Sequence, residues 1–332
     1  MRRREFISLV GSVEVLFLTK SAPLAQTSRK IGYLHSGVDP ALFPLSNTKS
    51  PTGTLMSMRR DWQRLGYIEG ESVILRGTGG DPQRLPELVA DLINLKVGVL
   101  VVVGPAALRA AVQATKSTPI VAIDLETDPV RAGLAATFGR PGGNVTGLFL
   151  DQPSLAGKWL ELLKEAAPSI DRIALVWDPT SGTDQLEAAK VAARTLKMEA
   201  LVMEVHTTAG YEEAFRKLGS ERRTGVVQLG SPALSGPAHR LGDAALKYGF
   251  PTISFYTPHA KVGALLGYGP KLEAYFPRAA ILADKIINGA KVGELPIEQP
   301  DVFELIINLR TAKALGLTIP PTLLARAYEV ME

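Results

Sequence analysis

Ten residues set at the ends of apolar runs could together hold a small molecule: Ser36, Gly37, Gly104, Pro105, Ala106, Asp128, Asp178, Ser231, Tyr256 and Tyr268. The chemistry they offer is recognition rather than bond-making. A proline that opens a helix, as Pro105 would, leaves the next backbone N–H groups free to hold a carboxylate with help from the helix dipole. A carboxylate at Asp178 suits a ligand ammonium, and Tyr256 and Tyr268 could wall a flat apolar solute. Each has a structural counterpart. Asp128 before Pro129, Asp178 before Pro179 and Ser231 before Pro232 are equally suited to capping a helix, and the tyrosines could simply pack. Of the four histidines, His35 stands immediately before the first loop; His206, His239 and His259 are scattered and show no metal-ligand spacing.

Motifs for catalysis are missing. No G-x-G-x-x-G follows a strand, and there is no phosphate-binding G-x-x-x-x-G-K-[ST] loop and no G-x-S-x-G elbow. The chain has no cysteine, which excludes disulfides, thiolate metal sites and lipid attachment through an N-terminal cysteine. No catalytic residue, metal or cofactor is implied. Hydrophobic residues make up 46% and charged residues 21% of the 332, ordinary values for a chain that buries a full core. The net charge of +4 is partly a property of the N-terminus, where Arg2, Arg3, Arg4 and Lys20 face only Glu5 and Glu14. A nucleic-acid binder concentrates basic residues on one face; past the first 27 residues there is no basic run longer than a pair such as Arg222-Arg223, so a nucleic-acid partner is not expected.

The elements that must position these residues follow from periodicity. Residues 30–35 form a short apolar strand, Leu55–Leu65 a helix closed by Gly66, and Ser72–Leu75 a strand. Leu85, Leu88, Val89, Leu92 and Ile93 recur at helical spacing, Val97–Val103 reads as a buried strand, and a helix over Ala106–Ala114 leads to a strand at Pro119–Ile123. The rhythm pauses at Arg140–Gly147, rich in turn formers, where Gly142, Gly143 and Asn144 are expected to form a hinge. It then resumes with strands at Arg172–Trp177, Ala200–Val205, Gly225–Leu229 and Pro251–Tyr256, separated by helices at Thr183–Leu196, Tyr211–Leu218 and Ala238–Tyr248. Alternation of this kind predicts βαβ units on parallel sheets, hence an α/β chain of two Rossmann-like lobes. A long helix over Leu272–Ile287 and a strand over Phe303–Ile307 read as closing elements handed back to the two lobes. The expected division is residues 28–145 with about 260–296 in lobe one, and 146–259 with about 297–332 in lobe two. Three crossings between lobes make a hinge, and the cleft between them is the natural ligand site, beyond the carboxyl ends of the strands.

The first 27 residues read as an address rather than a fold element. Twin arginines before Glu5-Phe6-Ile7 resemble a twin-arginine export signal, followed by an apolar stretch from Ile7 to Leu18 and an expected cleavage near residue 25.

With these elements in place the chain resembles the ABC-transporter substrate-binding family that includes tryptophan-binding receptors, which has the type I periplasmic binding protein fold. The resemblance rests on Arg3–Ile7, Ile31-Gly32-Tyr33-Leu34, Leu65–Gly70, Arg140–Gly147, Tyr268-Gly269-Pro270, Phe303–Leu309 and Thr311–Leu317, in that order and spacing. It implies a periplasmic, monomeric receptor that closes around a small amino-acid-like or aromatic carboxylate solute. Such a receptor delivers its solute to a membrane permease powered by a separate ATPase. Two stretches depart from the family's usual pattern: Leu125-Glu126-Thr127 after Asp124, and the insert-like Val38–Pro51. Two rival readings compete with this one. One is an α/β enzyme of unknown activity; the other is a ligand-sensing regulator, which would need a DNA-binding segment of ~50–60 residues ahead of the first strand.

Overall fold

The computed structural model describes residues 28–37, 53–150, 152–219 and 223–332. The N-terminal address and the whole of the insert-like stretch lie outside them. Two sheets organise the chain. The first has the order β2-β1-β3-β4-β5, built from β1 (Ile31–His35), β2 (Val73–Gly77), β3 (Val99–Val103), β4 (Ile120–Asp124) and β5 (Val145–Phe149), all parallel. β1, β3 and β4 are buried along their whole length. That is why they read as unbroken apolar runs: helices cover both faces of a parallel sheet. α1 (Gly53–Arg64), α2 (Leu85–Asn94) and α3 (Pro105–Ala114) supply the crossovers, and α2 turns Leu85, Leu88, Val89 and Leu92 inward as its spacing predicts.

The second sheet has the order β12-β11-β10-β9-β8-β6-β7. It comprises β6 (Arg172–Trp177), β7 (Glu199–Glu204), β8 (Thr224–Gln228), β9 (Thr252–Ser254), β10 (Leu266–Pro270), β11 (Phe303–Asn308) and β12 (Glu329–Met331). Only the β10–β11 pair is antiparallel. Its helices are α4 (Ala156–Ala166), α5 (Asp184–Thr195), α6 (Tyr211–Leu218) and α7 (His239–Tyr248), with a short α8 (Pro258–Lys261) leading back to the cleft. The result is the two-lobed α/β architecture expected of a type I periplasmic binding protein. One buried cluster includes residues of both lobes, among them Tyr33 and Trp62 from the first and Trp159 and Phe255 from the second.

The chain passes between the sheets three times: after β5, after β10, and between Glu298 and β11. Glu298 still belongs to the edge of the first sheet, where its N–H donates to the Gly147 carbonyl at 2.9 Å and its carbonyl accepts from Phe149 at 3.0 Å. The helix expected over Leu272–Ile287 is interrupted at Phe276, giving α9 (Leu272–Tyr275) and α10 (Pro277–Ile287). Pro277 has no N–H to continue the ladder, so the break falls at its N-terminal side. α10 packs on β3, β4 and β5. The strand expected to run to Tyr256 ends at Ser254; Phe255 stays in the core against Trp159, and Tyr256 turns toward the cleft.

Gly142, Gly143 and Asn144 do not form a crossing. They connect β4 to β5 of the same sheet; the Gly142 N–H donates to Gly293 at 3.0 Å, and the Asn144 amide donates to Thr115 at 3.3 Å and Thr118 at 3.0 Å. Glycine and asparagine there serve turn geometry within one lobe.

Gly147 in β5 has φ +140°, and a Cβ built on it would lie 2.0 Å from the Ala122 carbonyl oxygen. Gly147→Ala should therefore lower stability by about 2 kcal/mol or more, because backbone on β4 must move. Urea unfolding monitored by circular dichroism checks this, with a clear fall in midpoint expected.

Candidate functional site

The carboxyl ends of β1, β3 and β4 face the loops that follow β8 and β9, and a cavity of about 280 Å³ lies between them. That volume is near the lower end of ligand sites, ~300–1,000 Å³, and suits a compact solute. The first lobe contributes His35, Gly104, Leu125 and Glu126; the second contributes Pro232, Tyr256 and His259. The outer wall is the crossing segment, with Lys271, Leu272 and Phe276, beside Glu304 and Tyr328.

On the first lobe, β1 ends in His35, whose Nδ1 accepts the Gly37 N–H at 3.0 Å. The ring therefore carries its proton on Nε2, and burial lowers its pKa to about 4. The Ser36 N–H donates to the Val103 carbonyl at 3.1 Å, tying the first loop to the end of β3. Gly104 caps α3 with φ +92°, a conformation glycine adopts without strain. Pro105 follows as the first helical residue, buried behind it, with Ala106 next.

β4 delivers two carboxyl groups that the sequence reading treats only as a departure from pattern. Asp124 is fully buried; its Oδ1 accepts the N–H groups of Glu126 and Thr127, both at 3.0 Å. Its Oδ2 has no hydrogen-bond partner among the described residues, and neither has Glu126 Oε2. Glu126 is only 6% exposed and lines the cavity. Burial, then the neighbouring charges of Asp124 and Asp178, push its pKa well above the usual carboxylate range, opposed by Arg109. Burial likewise raises Asp124. An unpaired buried carboxylate costs several kcal/mol if it stays ionised, and Arg109 is the cation that bears on both carboxyl groups.

On the second lobe the sequence-derived candidates divide. Asp178 is buried and fully engaged: it accepts from the Thr180 N–H at 3.0 Å, the Thr180 hydroxyl at 2.7 Å and the Ser231 hydroxyl at 2.5 Å. It is a cap, as is Ser231, whose Oγ also accepts the Ala233 N–H at 3.1 Å. Tyr256 lines the cavity, with its hydroxyl donating to the Ser231 carbonyl at 2.6 Å and accepting the Ser231 N–H at 3.1 Å. Asp128 lies away from the cavity, where it accepts from Val130 and Arg131 N–H and pairs with the Arg131 guanidinium at 3.0 Å. Tyr268 is also outside: its ring stacks on Phe303 at 6.2 Å and its carbonyl accepts the Trp159 indole N–H at 2.8 Å.

His259, one of the scattered histidines without metal-ligand spacing, is a buried wall of the site. Its Nδ1 lies 2.8 Å from Gln228 Oε1 and 3.1 Å from Ser254 Oγ. A serine and a histidine at that distance invite a nucleophile–base reading. Ser254, however, is fully buried and donates to Gln228 Oε1 at 2.6 Å, and it does not line the cavity. The Gln228 amide in turn donates to Tyr211 Oη at 2.8 Å and the Leu234 carbonyl at 2.9 Å. The network is scaffolding that fixes the loop after β8. The outer cations are paired: Lys271 with Glu304 at 3.1 Å and Tyr328 at 2.9 Å, and Lys261 with Glu329 at 2.6 Å. Among the described residues no group of three or more His, Asp or Glu could hold a metal.

The lobes meet directly. A Cβ on Gly37 would lie 2.6 Å from the Pro232 carbonyl and the Ala233 nitrogen, and one on Gly104 would lie 2.6 Å from Pro232 Cγ. Arg109 of α3 reaches across to donate to the Thr180 carbonyl at 3.0 Å.

Comparison with known proteins gives a consistent set. Residues 59–331 match the family model described as ABC transporter substrate binding protein. A tyrosine-binding protein of Clostridioides difficile is 26% identical over 256 residues, 76% of this chain and 73% of its own length. The crystal structure of a conserved domain protein from Vibrio cholerae superposes with a TM-score of 0.76 at 25% identity, covering 91% of this chain and 99% of that one. A Streptococcus pneumoniae ABC domain in complex with L-Trp gives 0.75 at 20% identity, covering 91% and 100%.

Burial holds His35 near pKa 4 and His259 near 3, both below the ordinary 6.5. Groups with a lowered folded-state pKa stabilise the fold above pH 6.5, and that contribution is lost as pH falls toward the folded value. His259→Gln should be less stable than wild type at pH 7. The difference should shrink by about 1 kcal/mol per pH unit between pH 6 and 4, measured by urea unfolding across that range.

Proposed function

This chain belongs to the family of ABC transporter substrate-binding proteins, and from that premise we propose that it is the extracytoplasmic solute receptor of an importer. In this reading it captures an amino-acid-like or aromatic carboxylate solute between its lobes by hinge closure. It then presents the solute to a membrane permease driven by a separate ATPase. The observation that carries the reading is the cavity itself, closed between two lobes at the carboxyl ends of their strands and walled by side chains from both. Relatives whose names record tyrosine and L-Trp support the class of solute. The family is extracytoplasmic, and no helix among the described residues is long and apolar enough to cross a membrane. Export through the twin-arginine-like address and release into the periplasm as a monomer complete the proposal.

Sheet membership supports a division in which lobe one takes residues 28–150 with 272–298, and lobe two takes residues 152–270 with 303–332. The hinge is then the three crossings near Leu150, Lys271 and residues 299–302. Closure is favoured by a solute because contacts from both lobes exist only in the closed form.

A thermal-shift screen across amino acids, aromatic acids, nucleosides and sugars tests the class. Saturable stabilisation by aromatic amino acids is expected, and stabilisation by sugars alone would overturn it. Gly37→Ala tests the mechanism, because its added methyl group meets Pro232 backbone only when the lobes touch. The variant should keep the wild-type urea midpoint and lose at least about tenfold in solute affinity, or about 1.4 kcal/mol; unchanged affinity would contradict closure.

A further inference from the structure

We infer that Glu126, with Asp124 behind it, is the group by which the cleft reads a positive charge, so that its solute must carry an ammonium. The inference rests on the reading of the interlobe cavity as the solute site and narrows what that site accepts.

Glu126 is more than nine-tenths buried, lines the cavity and leaves Oε2 without a partner among the described residues. Asp124 is more buried still, and its Oδ2 is equally without one. The groups that bear on Glu126 come from several elements: Asp124 at the end of β4, Asp178 after β6, Arg109 on α3 and Tyr256 after β9. His35 at the end of β1 and His259 on α8 share the cavity wall and are held neutral by burial. Arg109 is the sole cation among these, and it is drawn outward to the Thr180 carbonyl. The two lysines of the wall are already paired with Glu304 and Glu329. Positive charge at the inner end must therefore come from the solute or from a bound proton.

These alternatives exclude one another. In the empty cleft burial favours the protonated carboxyl. An incoming ammonium turns the balance: Glu126–COOH and R–NH3+ give the carboxylate–ammonium pair and one released proton. An ammonium supplies three donors to acceptors that otherwise stay bare. A carboxylate without an amine brings a like charge to the same place and meets Asp124, Glu126 and Asp178 together.

Isothermal titration at pH 7 with tyrosine, tyramine and 3-(4-hydroxyphenyl)propionate tests this, in two buffers of different ionisation enthalpy. Tyrosine and tyramine are expected to bind with a buffer-dependent enthalpy that reports release of up to one proton; the propionate is not expected to bind. Glu126→Gln, isosteric and uncharged, should weaken both amines at least tenfold and remove the buffer dependence, and Asp124→Asn should weaken them less. Urea midpoints at or above wild type establish that both variants fold. Binding of the propionate as tight as that of tyrosine, or amine affinity untouched in Glu126→Gln, overturns the inference while leaving the cleft as the solute site. Failure of every compound here and in the screen above removes both.

Discussion

At the cleft the two lobes approach each other where the first-lobe backbone carries no side chain. Gly37 and Gly104 stand at the ends of β1 and β3, and any Cβ on either would collide with Pro232 or its peptide. Everything at the site follows from that approach. It brings the loop after β8 over the first lobe and places Tyr256 and His259 opposite Glu126. It also leaves a small cavity of about 280 Å³ between the lobes. Gly104 meets a second demand at the same point, since its positive φ starts α3 at the angle that keeps Pro105 buried. A contact of this kind has little side-chain entropy to lose, which suits the opening and closing proposed for the lobes.

Around that contact the molecule spends its polar groups unevenly. On the second lobe nearly every buried polar atom near the cleft is satisfied. Asp178 accepts three hydrogen bonds, and Gln228 links His259, Ser254, Tyr211 and the Leu234 carbonyl. Satisfied networks of this sort fix loop positions, because breaking any one bond strands a buried group. The first lobe differs: Asp124 and Glu126 are buried with oxygens unmet. A largely satisfied wall facing carboxyl oxygens that are unmet among the described residues is the arrangement expected of a site whose missing partner arrives from outside.

Much of the scaffold is legible in the residues. Unbroken valine and isoleucine runs gave β3 and β4, helical spacing gave α2, and the repeat of the alternation gave two lobes. The cleft was placed by the rule that ligands sit beyond strand carboxyl ends, and His35, Gly104 and Tyr256 line it. Other features are hidden for physical reasons. Glu126 follows an apolar strand in a short loop, where a carboxylate normally faces water, and nothing local signals its burial beneath the other lobe. His259 is enclosed by Gln228 and Ser254, residues distant in sequence or unremarkable in type. Asp128 and Asp178 share the same Asp-Pro signature, yet one caps an exposed turn and the other a buried one. Glycine and asparagine at 142–144 mark a turn, but composition does not distinguish a turn within a lobe from a crossing between lobes.

In the proposed reading, a solute bound between the lobes holds them together. Small-angle X-ray scattering of the protein with and without a saturating aromatic amino acid tests it most directly. A smaller radius of gyration on binding is expected, with the bound curve matching the arrangement in which Gly37 and Gly104 meet Pro232. Identical curves for the free and fully bound protein would contradict it.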